Sequence, residues 1–255
     1  MNKDFLNRSE LLLGSEAMER IMASRVIIFG VGGVGSWCAE ALVREGIQHL
    51  TLVDSDTVCI TNCNRQLMAT SRTIGQPKVE ALRNRLLDIN PEADIVALEQ
   101  LYNEEASDSF HIADYDYVID AIDSLRDKIN LILKTTAIAA SQSAGCEGKP
   151  HPVLFSSMGA ALRIDPTKIA VSEFWKVKGD PLAAAMRSSM RRHKLFPARK
   201  FLCVHSEEQP MPNLGRAMVD GSQTFNKVQT NGSLAHITGI FGMTLAGLVI
   251  SDIKS

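Results

Sequence analysis

The sequence predicts an α/β protein with a doubly wound, mostly parallel sheet and a less regular C-terminal extension. Three observations carry this. Short apolar runs rich in branched residues alternate with stretches of helical period. The first run leads straight into a glycine loop that opens a helix. The second run ends on an acid, Asp54, 19 residues after Gly35.

The elements follow in order. Residues 1–24 read as a helical lead-in, with Leu13, Ala17, Ile21 and Met22 as its apolar positions. RVIIFG (25–30) is a short continuous apolar run, the pattern of a strand buried on both faces. Ser36 to Glu45 carries Trp37, Ala41 and Leu42 at helical spacing, and HLTLVD (49–54) is the next strand. QPKVEALRNRLLDINP puts Val79, Leu82, Leu86 and Ile89 on one helical face, and Pro91 stops it. DIVALE (94–99) and YDYVIDAID (115–123) are strands, 124–140 is a helix, and PVLFSSMG (152–159) begins as a strand. The arrangement is Rossmann-like.

The chain divides into a nucleotide-binding core with its lead-in (1–165), a basic extension or insertion (166–232) and a C-terminal helix packing back on the core (233–255). The middle piece holds the Pro-rich, acidic EEQPMPNLG (207–215). The last piece contains HITGIFGMTLAGLVISDI (236–253), just short of the roughly 20 residues that cross a bilayer. It reads as a buried core helix. Thr238, Gly242 and Ala246 are four apart, so one side of it suits close approach to another backbone. Peripheral attachment of this helix to a membrane stays open.

Among 255 residues, 45% are hydrophobic and the net charge is −2, an ordinary globular balance without the basic excess of a dedicated nucleic-acid domain. The five cysteines are odd in number and none forms Cys-x-x-Cys, which argues against structural zinc and against a disulfide framework. The N-terminus lacks a signal-peptide run. A reducing cytoplasm is the expected compartment. Cys38 reads as core, Cys59 and Cys63 flank the Arg65 loop, and Cys146 and Cys203 read as accessible in mobile stretches.

In IIFGVGGVGS, Gly30, Gly32, Gly33 and Gly35 sit between a strand and a helix. Missing side chains let the backbone turn tightly against a phosphate, and the helix N-terminus adds unpaired N–H groups and a positive dipole end. A dinucleotide and ATP use such a loop alike, and Asp54 suits the ribose of either. The next segment separates them. Asn62, Arg65, Gln66 and Lys78 follow in TNCNRQLMATSRTIGQPK, and three phosphates call for cations that a dinucleotide does not. From chemistry alone, Arg65 and Lys78 are phosphate ligands or solvated charges on equal terms.

G-x-G-G-x-G-S, then LVDSD, N-x-N-R-Q, G-Q-P-K and VIDAID, in this order, resemble the ubiquitin-activating-enzyme-like (ThiF/MoeB-type) superfamily, over roughly residues 5–165. The resemblance implies adenylation of a carboxylate by ATP. It implies that Asp54 holds the ribose, that Asn62, Arg65 and Lys78 hold and polarise the triphosphate, and that Asp123 coordinates Mg²⁺, with Asp120 as a second candidate. It also implies that Arg8 crosses into a partner subunit's site, so that the active form is a homodimer. A monovalent cation is a further implied cofactor without assigned ligands.

Within the superfamily, FLNRSELLLG, TNCNRQLMAT, VIDAIDS and the stretch SSMGAALRIDPTKIAVSEFWKVKGDPLAAAMR (156–187) resemble the bacterial tRNA threonylcarbamoyladenosine dehydratases. That branch implies ATP-dependent cyclisation of N6-threonylcarbamoyladenosine beside the anticodon, with a cysteine desulfurase and a sulfur acceptor as candidate partners. The alternative is an adenylyltransferase acting on the C-terminus of a small sulfur-carrier or ubiquitin-like protein. An inactive nucleotide-binding module and an NAD-dependent oxidoreductase rank lower. For the tRNA, the sequence offers a basic window, 176–200, in which Asp180 is the only acid. Arg187, Arg191, Arg192, Lys194, Arg199 and Lys200 are its candidate contacts. Trp175 and Phe196 are candidate stacking residues that also suit a core.

Overall fold

A computed structural model of the protein describes residues 3–142, 151–215 and 231–255. The lead-in forms two helices, α1 (Asn7–Leu13) and α2 (Ser15–Ala23), broken at Gly14, whose φ of +84° suits only glycine. Then β1 (Arg25–Phe29), α3 (Gly35–Arg44), β2 (His49–Val53), α4 (Lys78–Ile89) and β3 (Asp94–Leu98) alternate as the periodicity predicts. β4 (Tyr117–Asp120), α5 (Leu125–Gln142) and β5 (Val153–Ser157) continue the pattern.

The chain from 166 onward is more regular than its sequence suggests. It supplies β6 (Ile169–Glu173), α6 (Pro181–His193), β7 (Leu202–Ser206) and α7 (Ala235–Lys254). β6 and β7 complete a seven-stranded sheet of order β3-β2-β1-β4-β5-β7-β6. All neighbours pair in parallel except β6, which lies antiparallel on β7. Cys203, expected to be accessible, is instead wholly buried inside β7, and burial pushes its thiol well up. Cys146 lies outside the described residues, as do residues 216–230.

Alternate β1 side chains feed two cores. Val26 and Ile28 join Leu42, Leu82 and Phe241 on one side of the sheet. Ile27 and Phe29 join Phe110, Ile132 and Met186 on the other. Both faces are thus covered, as an all-apolar central strand requires. By length and composition α7 would suit a membrane, yet Ile237, Phe241, Leu245 and Val249 are buried in the first core. Its small residues permit this. A Cβ on Gly242 would lie 2.5 Å from the Val34 carbonyl oxygen and 2.8 Å from the Cys38 nitrogen.

Strand register positions the site. Phe29 of β1 is level with Val53 of β2 and with Asp120 of β4, and Asp120 is level with Ser156 of β5. The loops after these four strands therefore open together at one edge of the sheet, where order reverses around β1.

Candidate active site

The glycine loop lies at that edge. Gly30 has φ +86°, and a Cβ there would meet the Ala121 carbonyl oxygen at 2.7 Å, so the loop presses directly on the turn that follows β4. Gly35 backs onto the Gly30 carbonyl, and Gly33 faces Thr238 at the start of α7. Gly32 is opposite the Gln66 amide. Ser36, in the first turn of α3, donates to the Gly32 carbonyl at 2.6 Å and accepts from the Leu67 amide at 3.2 Å. Trp37 donates its indole N–H to the Arg65 carbonyl at 3.0 Å. The first turn of α3 thus ties the Arg65 loop against the glycine loop.

Asp54 follows β2 and holds this arrangement from the other side. Its carboxylate accepts from the Val31 N–H and the Asp56 N–H, each at 2.9 Å. Lys78 Nζ lies 2.6 Å from Asp56 Oδ2 and 3.9 Å from Asp54 Oδ1, with 7% of its side chain exposed. Pairing between Thr57 and Pro77 returns the chain to this spot and so delivers Lys78. Burial pushes the Asp54 carboxyl above its usual range, and the Lys78 cation pulls against that.

The structure brings Gly30, Gly32, Gly33, Gly35, Asp54, Arg65 and Lys78 into one region. Asn62 is there too, but its Oδ1 accepts from the Cys59 N–H at 3.0 Å, closing its own turn. One Arg65 nitrogen donates to the Thr61 carbonyl at 2.9 Å and to Asn64 Oδ1 at 3.0 Å. Gln66 is 6% exposed, and its Oε1 has no hydrogen-bond partner. An orphaned acceptor beside a glycine cradle fits a ligand that brings a donor.

The two acids after β4 have different surroundings. Asp120 is wholly buried, 2.8 Å from Lys128 Nζ, and accepts from Ser156 Oγ at 2.7 Å and from the Ile122 N–H at 3.2 Å. These partners occupy it, so it is a framework residue and not a metal ligand. Asp123 is exposed just before α5. Among the described residues, no three His, Cys, Asp or Glu gather to hold a metal. One carboxylate at a phosphate cradle suits a hard cation completed by phosphate oxygens and water.

Arg8 is exposed on α1. Leu6 packs toward Gly46, and Ser9 Oγ donates to Glu45, so α1 sits at the C-terminal end of α3. The glycine loop is at the other end, about 15 Å away along the helix. Arg8 therefore does not reach its own chain's crevice. The basic cluster is also distant. Asp180 accepts from the Gly159 N–H at 3.1 Å, anchoring the start of α6 at the crevice edge, and α6 then carries Arg187, Arg191 and Arg192 toward the opposite edge. Lys194, Arg199 and Lys200 follow there, before β7 begins.

Sequence reasoning missed Asp56, Ser36, Trp37 and Lys128. Asp56 was legible as the second acid of LVDSD. Ser36 was legible as the last residue of G-x-G-G-x-G-S, whereas Trp37 and Lys128 read only as helix positions.

The ThiF family model matches residues 6–253. The chain is similar to the tRNA threonylcarbamoyladenosine dehydratase of Bacillus subtilis, 36% identical over 251 residues, covering 97% of this chain and 93% of that protein. It is also similar to the Escherichia coli molybdopterin-synthase adenylyltransferase, 34% identical over 202 residues, or 78% of this chain and 72% of that one. Among solved structures it resembles the Escherichia coli tRNA N6-threonylcarbamoyladenosine dehydratase in complex with ATP. The TM-score is 0.80, identity is 29%, and coverage is 98% of this chain and 94% of that one.

Proposed function

The chain belongs to the ThiF family, closely related to bacterial tRNA threonylcarbamoyladenosine dehydratases, and from that premise we propose that it cyclises N6-threonylcarbamoyladenosine in tRNA at the expense of ATP. The observation that carries this reading is the extent of the likeness. It runs over 97% of the chain with the dehydratase and 78% with the adenylyltransferase, so it includes the second half that ATP alone does not need.

The chemistry follows from the groups at the crevice. The glycine-loop N–H groups and the start of α3 receive phosphate oxygens, and Asp54 accepts from the ribose hydroxyls. Arg65 and Lys78 set positive charge against the outer phosphates, Asn62 adds a polar contact, and Gln66 Oε1 gains a donor. A carboxylate oxygen of the threonyl group attacks the α-phosphorus, and the bond to pyrophosphate breaks. Lys78 and Arg65 offset the charge growing on the leaving oxygens. The carbamoyl group of the same side chain then attacks the acyl carbon, the bond to AMP breaks and the attacking group gives up its proton to solvent. Over both steps two bonds form, two break, and the substrate loses the elements of one water. Because this second attack is intramolecular, proximity replaces a catalytic thiol.

Asp123 would hold Mg²⁺, which supplies neutralising charge between phosphates when bound. Arg8 would serve the partner subunit's crevice in a homodimer. Its exposure beside Leu11 and Leu12, 80% and 77% exposed, supports an interface there. A tRNA substrate implies work in the cytoplasm, and a desulfurase with its sulfur acceptor remains a proposed partner pair.

Pyrophosphate release tests the reading. It should rise with tRNA bearing the threonylcarbamoyl group and stay at background with unmodified tRNA. Stimulation by a sulfur-carrier protein alone would instead favour the adenylyltransferase reading.

A further inference from the structure

Four aromatic rings form a ladder from the interior to the surface at the edge opposite the crevice. Phe201 stacks on Phe174 at 5.1 Å between centroids, and Phe174 meets Trp175 edge-on at 5.2 Å. Trp175 lies 6.0 Å from Phe196, a residue that is 56% exposed. The inner rungs are core. The last one is a large apolar face in water.

Cations flank the ladder, and the structure sorts them by task. Arg187 donates to the Phe174 carbonyl at 3.0 Å and lies 5.9 Å over its ring, so it braces the inner rungs. Arg191 lies 5.4 Å over Trp175. Arg192 and Lys194 are exposed, four and two residues before Phe196 in the chain. Asp180 is buried at the far end of α6, bonded to the Ala183 N–H at 2.8 Å. Cations do offset the dipole at a helix C-terminus, and Arg191, Arg192 and His193 occupy the last turn. That accounts for their charge but not for Phe196. A solvated ring with exposed cations two and four residues away in the chain is a pairing that can hold an unstacked base together with its phosphates.

We propose that Phe196, backed by Trp175, is a stacking platform for an unpaired nucleobase of the tRNA, with Arg192 and Lys194 on the adjoining phosphates. The proposal rests on the tRNA reading above and adds a second grip to it. α6 spans 13 residues, on the order of 20 Å, between the crevice edge and this platform. Within one subunit the stacked nucleotide is therefore not the reacting one. The platform anchors the RNA while the modified adenosine is presented elsewhere.

The test is the dissociation constant for tRNA at fixed salt, with the constant for ATP measured in parallel. Phe196→Ala should weaken tRNA binding by at least about fivefold, and Phe196→Trp should stay within about twofold of the original. ATP binding should not change in either. Arg192→Ala with Lys194→Ala should flatten the salt dependence by about two units of slope, one per phosphate lost. Phe196→Ala binding tRNA as the unaltered protein does would overturn the platform and leave the catalytic reading intact. Loss of tRNA and ATP binding together would also overturn it, as a folding effect. An unaltered protein that neither binds tRNA nor releases pyrophosphate with it would overturn both.

Discussion

Lys128 Nζ lies 2.8 Å from Asp120 Oδ2, and neither side chain reaches solvent. The same ammonium donates to the Ile122 carbonyl at 3.0 Å. It therefore fixes the turn between β4 and α5, which the glycine loop touches at Ala121. Removing one partner strands the other charge in the interior. Lys128→Met should cost about 3–5 kcal/mol, and adding Asp120→Asn should recover a large part of it. Urea unfolding of the three proteins decides. A double variant no more stable than the single one would mean the pair is not what holds this turn.

Lys78 is the cation the account relies on most at the outer phosphates. Lys78→Met should lower kcat by about 10²–10³-fold, as loss of one charge-stabilising donor does, with the far-ultraviolet spectrum unchanged. Turnover near the original would remove Lys78 from the site.

Arg8 and Asp123 allow a test of subunit sharing. Asp123→Ala and Arg8→Ala should each be inactive while folded. Mixed after dissociation in equal amounts, they should regain about a quarter of the sites, because half the dimers are mixed and each has one complete crevice. If the mixture stays inactive while each protein is dimeric, Arg8 does not act across the interface.

His205 predicts an acid sensitivity. It is wholly buried on β7, with Nε2 3.0 Å from Ser172 Oγ and Nδ1 without a partner. Burial pulls its pKa below the ordinary 6.5, with Asp180 and Glu207 opposing. The unfolded chain then binds the proton first, so stability is complete above about pH 6.5 and is lost as pH falls below it. His205→Gln should remove part of that loss. Parallel slopes of unfolding free energy for the two proteins between neutral and mildly acidic pH would rule the histidine out.

The first half of the sheet was legible because its strands are unbroken apolar runs and its helices keep one apolar face. β5 was legible too, but β6 and β7 were not. β6 is a half-exposed edge strand, and β7 reads LCVHS, with His205 and Ser206 buried among polar neighbours. Neither resembles a core strand by composition. At the site, glycines and the acid after β2 announce themselves through fixed spacing. Lys128 does not, since a lysine within an amphipathic helix reads as surface until Asp120 is placed across from it. Asn62 and Arg65 were legible as candidate phosphate ligands, but not their hydrogen bonds to their own loop.

The central claim is that the threonyl carboxylate attacks the α-phosphorus of ATP. Heavy oxygen placed in that carboxylate of the modified tRNA tests it directly. The account predicts that one labelled oxygen per turnover leaves in AMP, with none in pyrophosphate. Unlabelled AMP accompanying a cyclised nucleoside would contradict it.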